Sequence, residues 1–350
     1  MNYVAPWWLP GGNVQTIWAA LRARRFTDTA PLFRRQRWHT PDGDFVDVDW
    51  LQDAARSGEA DTPERAVTDA PLGGGKPLLV LFHGLEGSSA SHYAQAFADV
   101  ARRRGWAFAV PHFRGCSGEI NLAPRAYHSG DFLEVDWLLR RFAREHAGPV
   151  LAVGVSLGGN ALMRWVGEMG AQAGQVVAGI ASVCAPLDLS ASGQAIGQGF
   201  NRQVYTRMFL KTMIPKALQK LAQHPGLFKS QALLAARDLH TFDDVFTGPL
   251  HGFKNADDYW LRASAKPHLK DIAVPALALN ALNDPFVPAA SLPQAADVSA
   301  CVTLWQPAYG GHVGFPAEAY PAHVRAMPEA VATFLAAQLP AAANFRNSAK

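Results

Sequence analysis

The 350-residue sequence predicts an α/β fold with a mainly parallel, doubly wound sheet. Short apolar runs such as residues 77–82 are typical of strands that are buried on both faces. Amphipathic helical patterns such as residues 131–146 separate these runs. Strands that alternate with helices favour parallel pairing, because each helix returns the chain to the same edge of the sheet. Residues 187–269 break this rhythm with helical patterns alone, which predicts an inserted helical cap.

The predicted elements follow in chain order. Residues 33–40 and 45–51 flank the turn sequence Pro41-Asp42-Gly43 and predict a hairpin. The Ala-, Gly- and charge-rich segment 52–76 is expected to be an exposed connection. Further strands are expected at 77–82, 106–110, 149–155, 176–183, 275–282 and 302–305, and core helices at 91–104, 131–146 and 317–339. We expect one domain with a core of residues 33–186 and 270–340, an N-terminal extension of residues 1–32, and the cap at 187–269.

Composition and charge exclude several classes of protein. The chain is 49% hydrophobic and 17% charged, which is typical of a folded globular protein. Its formal net charge of +3 gives no reason to expect nucleic acid as a partner. The three cysteines, Cys116, Cys184 and Cys301, are far apart, so they favour a reducing compartment over disulfides or a zinc site. No apolar run predicts a transmembrane helix and the N-terminus lacks a signal-peptide pattern, so we expect a cytoplasmic protein.

A candidate nucleophile lies at Ser156. Residues 154–158 read Gly-Val-Ser-Leu-Gly, a G-x-S-x-G match that directly follows a predicted strand and precedes a helical pattern. A strand–serine–helix turn holds the hydroxyl at the helix N-terminus, and the flanking glycines leave room for the tight turn. The alternative is a glycine-rich loop with an unreactive serine. The strand and helix on either side favour a nucleophile.

The predicted base and its carboxylate are His312 and Asp284. A serine nucleophile needs a base, and the base needs an orienting carboxylate, in the chain order Ser, Asp, His. Asp284 follows a predicted strand and is therefore expected at the same sheet edge as Ser156; the alternative is an ordinary Asp-Pro turn residue. Only His312 and His323 come after Asp284. We expect His323 on the surface of the C-terminal helix, which leaves His312 as the base.

The charge that develops on an attacked carbonyl needs an oxyanion hole. One donor is expected to be the N–H of Leu157, the residue after the nucleophile. The other is expected from the loop after strand 77–82, where Leu85 N–H best matches the required position. The alternative for this loop is a simple turn at Gly84.

These motifs together resemble a known family. The resemblance spans nearly the whole chain, including an N-terminal signature at Gly11-Gly-Asn-Val-Gln-Thr16. Its other motifs are His83-Gly-Leu-Glu-Gly-Ser-Ser89, Ser91-His-Tyr93, Phe113-Arg-Gly-Cys-Ser-Gly118, Tyr127-His-Ser-Gly-Asp131, Gly154-Val-Ser-Leu-Gly-Gly-Asn160, Asn283-Asp-Pro-Phe286 and Gly310-Gly-His312. The sequence resembles the YheT-like branch of the α/β-hydrolase superfamily. The resemblance implies hydrolysis of carboxylic esters by a triad of Ser156, Asp284 and His312. Its eukaryotic relatives include membrane-anchored lipases that act on acylglycerols and phospholipids.

Four polar residues in these motifs have no assigned role: Glu86, Arg114, His128 and Asp131. One interpretation is that they orient the substrate or the oxyanion loop. The favoured interpretation is that they tie loops together through charged hydrogen bonds. Cys116 is interpreted as a packing residue rather than a nucleophile.

The predicted cap has a one-sided charge. Between Asp188 and Asp238 there is no acidic residue, but there are seven basic ones. They are Arg202, Arg207, Lys211, Lys216, Lys220, Lys229 and Arg237, and apolar residues are interleaved with the first of them. One interpretation is a surface that approaches an anionic membrane. The favoured one is an amphipathic lid whose apolar side covers an acyl pocket and whose basic side is solvated.

The leading functional hypothesis is a serine esterase that cleaves small-molecule acyl esters through an acyl-enzyme, with no metal and no organic cofactor. The alternatives are a lipase or phospholipase at a membrane surface, and a non-hydrolytic ligand-binding protein on the same fold. An epoxide hydrolase or dehalogenase with an Asp nucleophile is disfavoured because the position is serine. The sequence leaves the oligomeric state, the acyl length and the alcohol open.

Overall fold

An eight-stranded sheet forms the centre of the computed structural model, which describes residues 2–52 and 75–339. The strand order is β1-β2-β4-β3-β5-β6-β7-β8. Neighbours from β4 to β8 pair in parallel, whereas β1 and β2 pair antiparallel to each other and β2 to β4. This confirms the predicted mainly parallel sheet and its hairpin. The strands are β1 (Phe33–His39), β2 (Phe45–Leu51), β3 (Leu78–Phe82), β4 (Ala107–Pro111), β5 (Val150–Val155), β6 (Gly179–Val183), β7 (Ala276–Leu279) and β8 (Val302–Trp305).

Helices cover both faces of this sheet. The core helices are α1 (Gly12–Leu21), α2 (His92–Arg103), α3 (Phe132–Glu145), α4 (Leu157–Met169) and α12 (Ala326–Ala336). Alternate residues of β3 belong to two different apolar clusters, because successive side chains of a strand point to opposite faces. Val80 packs in a cluster with Val135 of α3, and Leu81 packs in the other with Phe97 of α2. Burial on both faces explains why the strand sequences are continuously apolar.

The chain between β6 and β7 is helical, as predicted for an inserted cap. Its helices are α5 (Leu189–Ile196), α6 (Gly199–Asn201), α7 (Arg207–Gln223), α8 (Ser230–Leu234), α9 (Leu239–Phe242), α10 (Gly248–Leu250) and α11 (Ala256–Ala263). Short π-helical stretches join α6 to α7 and α9 to α10. The cap limits at residues 187 and 269 stay a prediction. Among the residues that the structure describes, every helix is too short or too polar to span a bilayer.

Some element boundaries differ from the predictions. β6 and β7 are shorter than the segments 176–183 and 275–282. The C-terminal helix begins at Ala326 rather than at residue 317, so the prediction for His323 was wrong. The backbone of His323 forms β-bridges to Arg24 and Ala317, which hold the chain around His323 extended. His323 is 7% exposed. Residues 53–74 of the predicted connection lie outside the described residues.

Candidate active site

Ser156 occupies a tight turn between β5 and α4. Its backbone has φ 53° and ψ −120°, a conformation that strains any residue with a side chain. The Ser156 N–H donates to the Val183 carbonyl at 2.8 Å, which ties the turn to β6. The hydroxyl is therefore held at the N-terminus of α4, as the sequence motif predicts.

The two glycines around Ser156 allow close backbone approach. A Cβ atom on Gly154 would lie 2.4 Å from the Gly158 carbonyl oxygen. A Cβ atom on Gly158 would lie 2.4 Å from the Phe82 carbonyl oxygen, at the end of β3. Both distances are far below van der Waals contact, so the turn needs glycine at each position.

The structure brings Ser156, His312 and Asp284 into one hydrogen-bonded chain. His312 Nε2 lies 3.0 Å from Ser156 Oγ, and His312 Nδ1 lies 2.9 Å from Asp284 Oδ2. The Asp284 side chain is fully buried, and its Oδ1 accepts a hydrogen bond from Phe286 N at 2.8 Å. The Phe286 ring packs 4.1 Å from the imidazole. The base is thus oriented from both sides and can accept the serine proton.

The N-terminal segment supports the His312 loop, which the sequence reasoning missed. Thr16 Oγ1 accepts a hydrogen bond from His312 N at 2.8 Å. Gln15 Oε1 accepts from Gly310 N at 2.9 Å, and Asn283 Oδ1 accepts from Gly311 N at 3.0 Å. The sequence feature that could have indicated this support is the N-terminal motif ending at Thr16, which the sequence analysis uses only for the family resemblance.

The predicted oxyanion donors face the same cavity as Ser156. Leu85 and Leu157 line this cavity together with Ser156 and His312. Within the described residues, neither the Leu85 N–H nor the Leu157 N–H has a hydrogen-bond partner. Leu157 is the first residue of α4, where backbone N–H groups are free by geometry. Both groups are therefore available to a developing negative charge.

His83 stabilises the loop that carries Leu85. Its Nε2 accepts a hydrogen bond from Phe113 N at 3.0 Å, and its Nδ1 lies 2.8 Å from the Gly84 carbonyl oxygen. Burial lowers the pKa of His83 to about 3, so the imidazole is neutral. A neutral ring that accepts at Nε2 donates at Nδ1, which matches both contacts.

The cavity lies between the sheet edge and the cap, with a volume of about 1170 Å³ including its open mouth. Most of its cap wall is apolar. The apolar side chains of this wall include Leu189, Ile196, Phe209, Met213, Phe242 and Phe246. This wall suits an apolar group next to Ser156.

Three of the unassigned polar residues connect loops. Arg114 is buried and pairs with Asp42 and Asp44 at 2.8 Å and with Glu134 at 2.5 Å. Asp131 pairs with Arg125. The His128 ring packs 4.5 Å from the His251 ring of the cap, and its Nδ1 accepts from Gly130 N at 3.2 Å. The fourth residue, Glu86, lines the cavity, as Arg114 and His128 also do.

The basic residues of the cap do not all face solvent, so the interpretation of a wholly solvated basic side was wrong. Lys216 and Lys220 turn toward the cavity because they lie on the inner face of α7. Lys220 is 2% exposed and donates to the carbonyl oxygen of Ala123 and to Gln223 Oε1, each at 2.9 Å, and to the carbonyl oxygen of Asn121. Burial lowers the pKa of Lys220 to about 8.

One group of potential metal ligands coincides with the candidate site. Atoms of Cys184, Asp284 and His312 lie within 4.8 Å of one another. Burial raises the pKa of the Cys184 thiol well above its usual value, and Val313 N donates to its Sγ at 3.2 Å. A protonated thiol is a poor metal ligand, and His312 Nδ1 is engaged with Asp284. This donor set suits proton transfer better than metal binding.

Comparison with known proteins agrees with this geometry. A family model described as the alpha/beta hydrolase fold matches residues 77–319. The chain belongs to the α/β-hydrolase family. It is 40% identical over 296 residues to the putative esterase YheT of Escherichia coli strain K12, covering 81% of each chain. This similarity confirms the predicted resemblance to the YheT-like branch.

Two more distant matches also extend over most of this chain. Human phospholipase ABHD3 is 27% identical over 322 residues, which cover 90% of this chain and 73% of that protein. The solved structure of Est1E from Butyrivibrio proteoclasticus with bound ferulic acid has a TM-score of 0.52 at 14% identity. That match covers 87% of this chain and 98% of Est1E, and it supports the fold alone.

Proposed function

We propose that this α/β hydrolase is a serine hydrolase of carboxylic esters. Ser156 Oγ attacks the ester carbonyl carbon while His312 Nε2 takes the hydroxyl proton, and Asp284 stabilises the resulting imidazolium. The tetrahedral intermediate then breaks its bond to the alcohol, which leaves with the proton from His312. Water repeats the sequence on the acyl-enzyme and releases the acid and free Ser156.

The observation that carries this proposal is the chain of contacts from Ser156 Oγ through the His312 ring to Asp284, at 3.0 and 2.9 Å. The free N–H groups of Leu85 and Leu157 support it, because the same cavity offers donors for the carbonyl oxygen. The apolar cap wall supports an apolar acyl group. The names of the relatives, an esterase and a phospholipase, agree with an ester substrate.

The test is labelling with a fluorophosphonate probe, together with hydrolysis of nitrophenyl esters of increasing acyl length. We expect the wild-type protein to be labelled and Ser156→Ala to lose both labelling and hydrolysis. Ser192→Ala is the matched control, because Ser192 lines the same cavity and its hydroxyl has no hydrogen-bond partner among the described residues. An unlabelled wild-type protein would favour a ligand-binding protein instead. Hydrolysis that survives in Ser156→Ala would contradict the assignment of the nucleophile.

A second candidate, hydrolysis at a lipid surface, is favoured by the outer face of the cap. Phe200, Val204 and Met208 are 52%, 36% and 54% exposed. They are spaced four residues apart along consecutive helical turns, so they share one face. The exposed cations Arg202, Arg207 and Lys211 lie among them. An exposed apolar stripe with cations and no acidic residue fits an anionic lipid surface.

Vesicle sedimentation tests this candidate. We expect binding to vesicles that contain phosphatidylglycerol, weaker binding to pure phosphatidylcholine vesicles, and loss of binding in Phe200→Ser/Met208→Ser. Leu261→Ser is the control, since Leu261 is 69% exposed on a different cap helix. Equal binding by all the variants, or no binding by the wild type, would contradict hydrolysis at a lipid surface and would not affect the esterase proposal.

A further inference from the structure

Two tyrosine hydroxyls hold the loop that carries Leu85. Tyr93 accepts a hydrogen bond from Gly84 N at 2.9 Å, and Tyr127 accepts one from Glu86 N at 3.1 Å. The Leu85 N–H between them has no hydrogen-bond partner among the described residues, and Leu85 lines the cavity. Glu86 has φ 57°, which costs energy for a residue with a side chain. Glu86 directly follows Leu85, so contacts that keep Glu86 in this conformation contribute to the position of the Leu85 N–H, together with the hydrogen bond from Gly87 N to the Gly84 carbonyl oxygen at 2.9 Å.

The Glu86 carboxylate makes two such contacts. Its Oε1 accepts a hydrogen bond from the Tyr127 hydroxyl at 2.9 Å, so Tyr127 contacts both the backbone and the side chain of Glu86. Tyr127 is itself stacked on Phe113, with ring centroids 5.5 Å apart and planes 10° apart. The other carboxylate oxygen, Oε2, lies 2.9 Å from Lys216 Nζ.

Lys216 comes from the cap, on the same face of α7 that lines the cavity. Phe209, Met213 and Ala217 line the cavity from this helix. An acyl group in the cavity would press on these side chains and on the helix that carries Lys216. The position of the cap is thereby linked through one ion pair to the residue next to Leu85.

We propose that Lys216, Glu86 and Tyr127 form a clasp through which the cap positions the Leu85 N–H for catalysis. The proposal rests on the ester hydrolysis proposed above. All three are positioning residues, because Leu85 N–H rather than their own side chains meets the substrate oxygen. The Lys216 side chain is 34% exposed, so its ion pair adds little to folding stability. Its effect is therefore expected on the rate, since a small displacement of an oxyanion donor weakens transition-state binding.

The first test is steady-state hydrolysis of a nitrophenyl ester by Lys216→Met. We expect kcat to fall by about ten-fold, a fraction of the loss caused by deleting an oxyanion donor, with KM nearly unchanged. Lys216→Arg keeps the charge and is expected to recover most of kcat. Lys229→Met is the matched control because Lys229 is an exposed cap lysine outside the cavity. Melting curves of all variants check that they are folded.

A pair of inhibitors separates positioning from a general change of the pocket. A trifluoromethyl ketone adds Ser156 Oγ to its carbonyl carbon and places an oxyanion near Leu85, whereas the matching amide binds without forming a bond. We expect Lys216→Met and Tyr127→Phe to weaken the ketone by about ten-fold, like kcat, and to leave the amide unchanged. Equal weakening of both inhibitors, or a Lys216→Met variant that behaves like Lys229→Met, would overturn the clasp.

The clasp and the esterase proposal fail in different ways. If Ser156→Ala keeps wild-type hydrolysis, the proposed function is wrong and so is the clasp that rests on it. If Ser156→Ala is inactive while Lys216→Met matches the wild type in kcat and ketone affinity, only the clasp is wrong.

Discussion

The two walls of the cavity are built in different ways. On the sheet side, Ser156, Asp284 and His312 sit on loops at the ends of parallel strands, and buried backbone and side-chain contacts hold each of them. On the cap side, helices supply apolar side chains, and polar contacts such as Lys216 to Glu86 and His251 Nε2 to the Ala126 carbonyl oxygen at 2.9 Å connect them to the core. The proposed chemistry therefore belongs to the core, whereas the cap shapes the cavity and is connected to the core by polar contacts of this kind.

Two aspartates, one in each wall, give the largest expected contrast. Asp284→Asn keeps the shape of the side chain but favours the wrong tautomer of His312, so we expect kcat/KM for an ester to fall by about 10³- to 10⁴-fold. Asp243→Asn is the matched change in the cap wall, where the Asp243 carboxylate accepts hydrogen bonds from Thr247 Oγ1 and Trp260 Nε1 and does not contact His312 or Ser156 among the described hydrogen bonds. We expect this variant to stay within a few-fold of wild type. Equal losses in the two variants would remove the distinction between the walls.

The turn at Ser156 provides the next contrast. Gly158→Ala forces a Cβ atom against the Phe82 carbonyl oxygen, so we expect the free energy of unfolding to fall by about 1–3 kcal/mol and activity to fall with it. In Gly174→Ala the nearest atom to the new Cβ is 3.5 Å away, an ordinary contact. Urea unfolding of both variants checks the prediction, which a stable and active Gly158→Ala would contradict.

Two lysines of the cap, one buried and one exposed, are expected to contribute differently to stability. Lys220→Met removes the lysine donor to the carbonyl oxygen of Asn121 and one of the donors to that of Ala123, so we expect the free energy of unfolding to fall by about 1–3 kcal/mol. Lys229 is exposed, and Lys229→Met is expected to change it by less than about 0.5 kcal/mol. Thermal or urea unfolding measures both values, and equal effects would mean that Lys220 does not join the cap to the core.

The two regions are also expected to respond oppositely to pH. Burial disfavours ionisation of Asp44 in the core, but hydrogen bonds from Asn121, Leu122 and other partners outweigh it and lower its pKa to about 2. Its contribution to stability is therefore present above about pH 4 and is lost as the pH falls toward 2. In the cap, burial raises the pKa of Asp243 to about 6, so its contribution falls as the pH rises from about 4 to 6.

Urea unfolding of wild type and Asp243→Asn between these pH values measures the contribution of Asp243. Asp243→Asn is expected to remove the loss of stability between about pH 4 and 6 and to leave the acid limb unchanged. Identical profiles of unfolding free energy against pH for the two proteins would show that burial does not raise the pKa of Asp243.

Local sequence patterns were enough to predict the strands, the serine turn and the order of the candidate site residues. Continuous apolar runs predicted the parallel strands, because a strand covered on both faces has no polar side. The residues around Ser156 predicted the turn, because only glycine permits its close contacts with β3. Asp284 and His312 followed from their order along the chain and from the rule that parallel strands end at one edge. Their catalytic roles stay a proposal until Ser156→Ala and Asp284→Asn are measured.

The contact partners of the remaining polar residues could be known only from the tertiary structure. Thr16 supports His312 from 296 residues away, and Lys216 reaches Glu86 from another part of the chain. His323 is buried because its backbone pairs with Arg24, a partner that no local pattern shows. A helical or loop sequence gives the spacing of its side chains but not the neighbour that each one meets. The packing of distant segments sets that neighbour, and with it the difference between a solvated lysine and one that reaches the site.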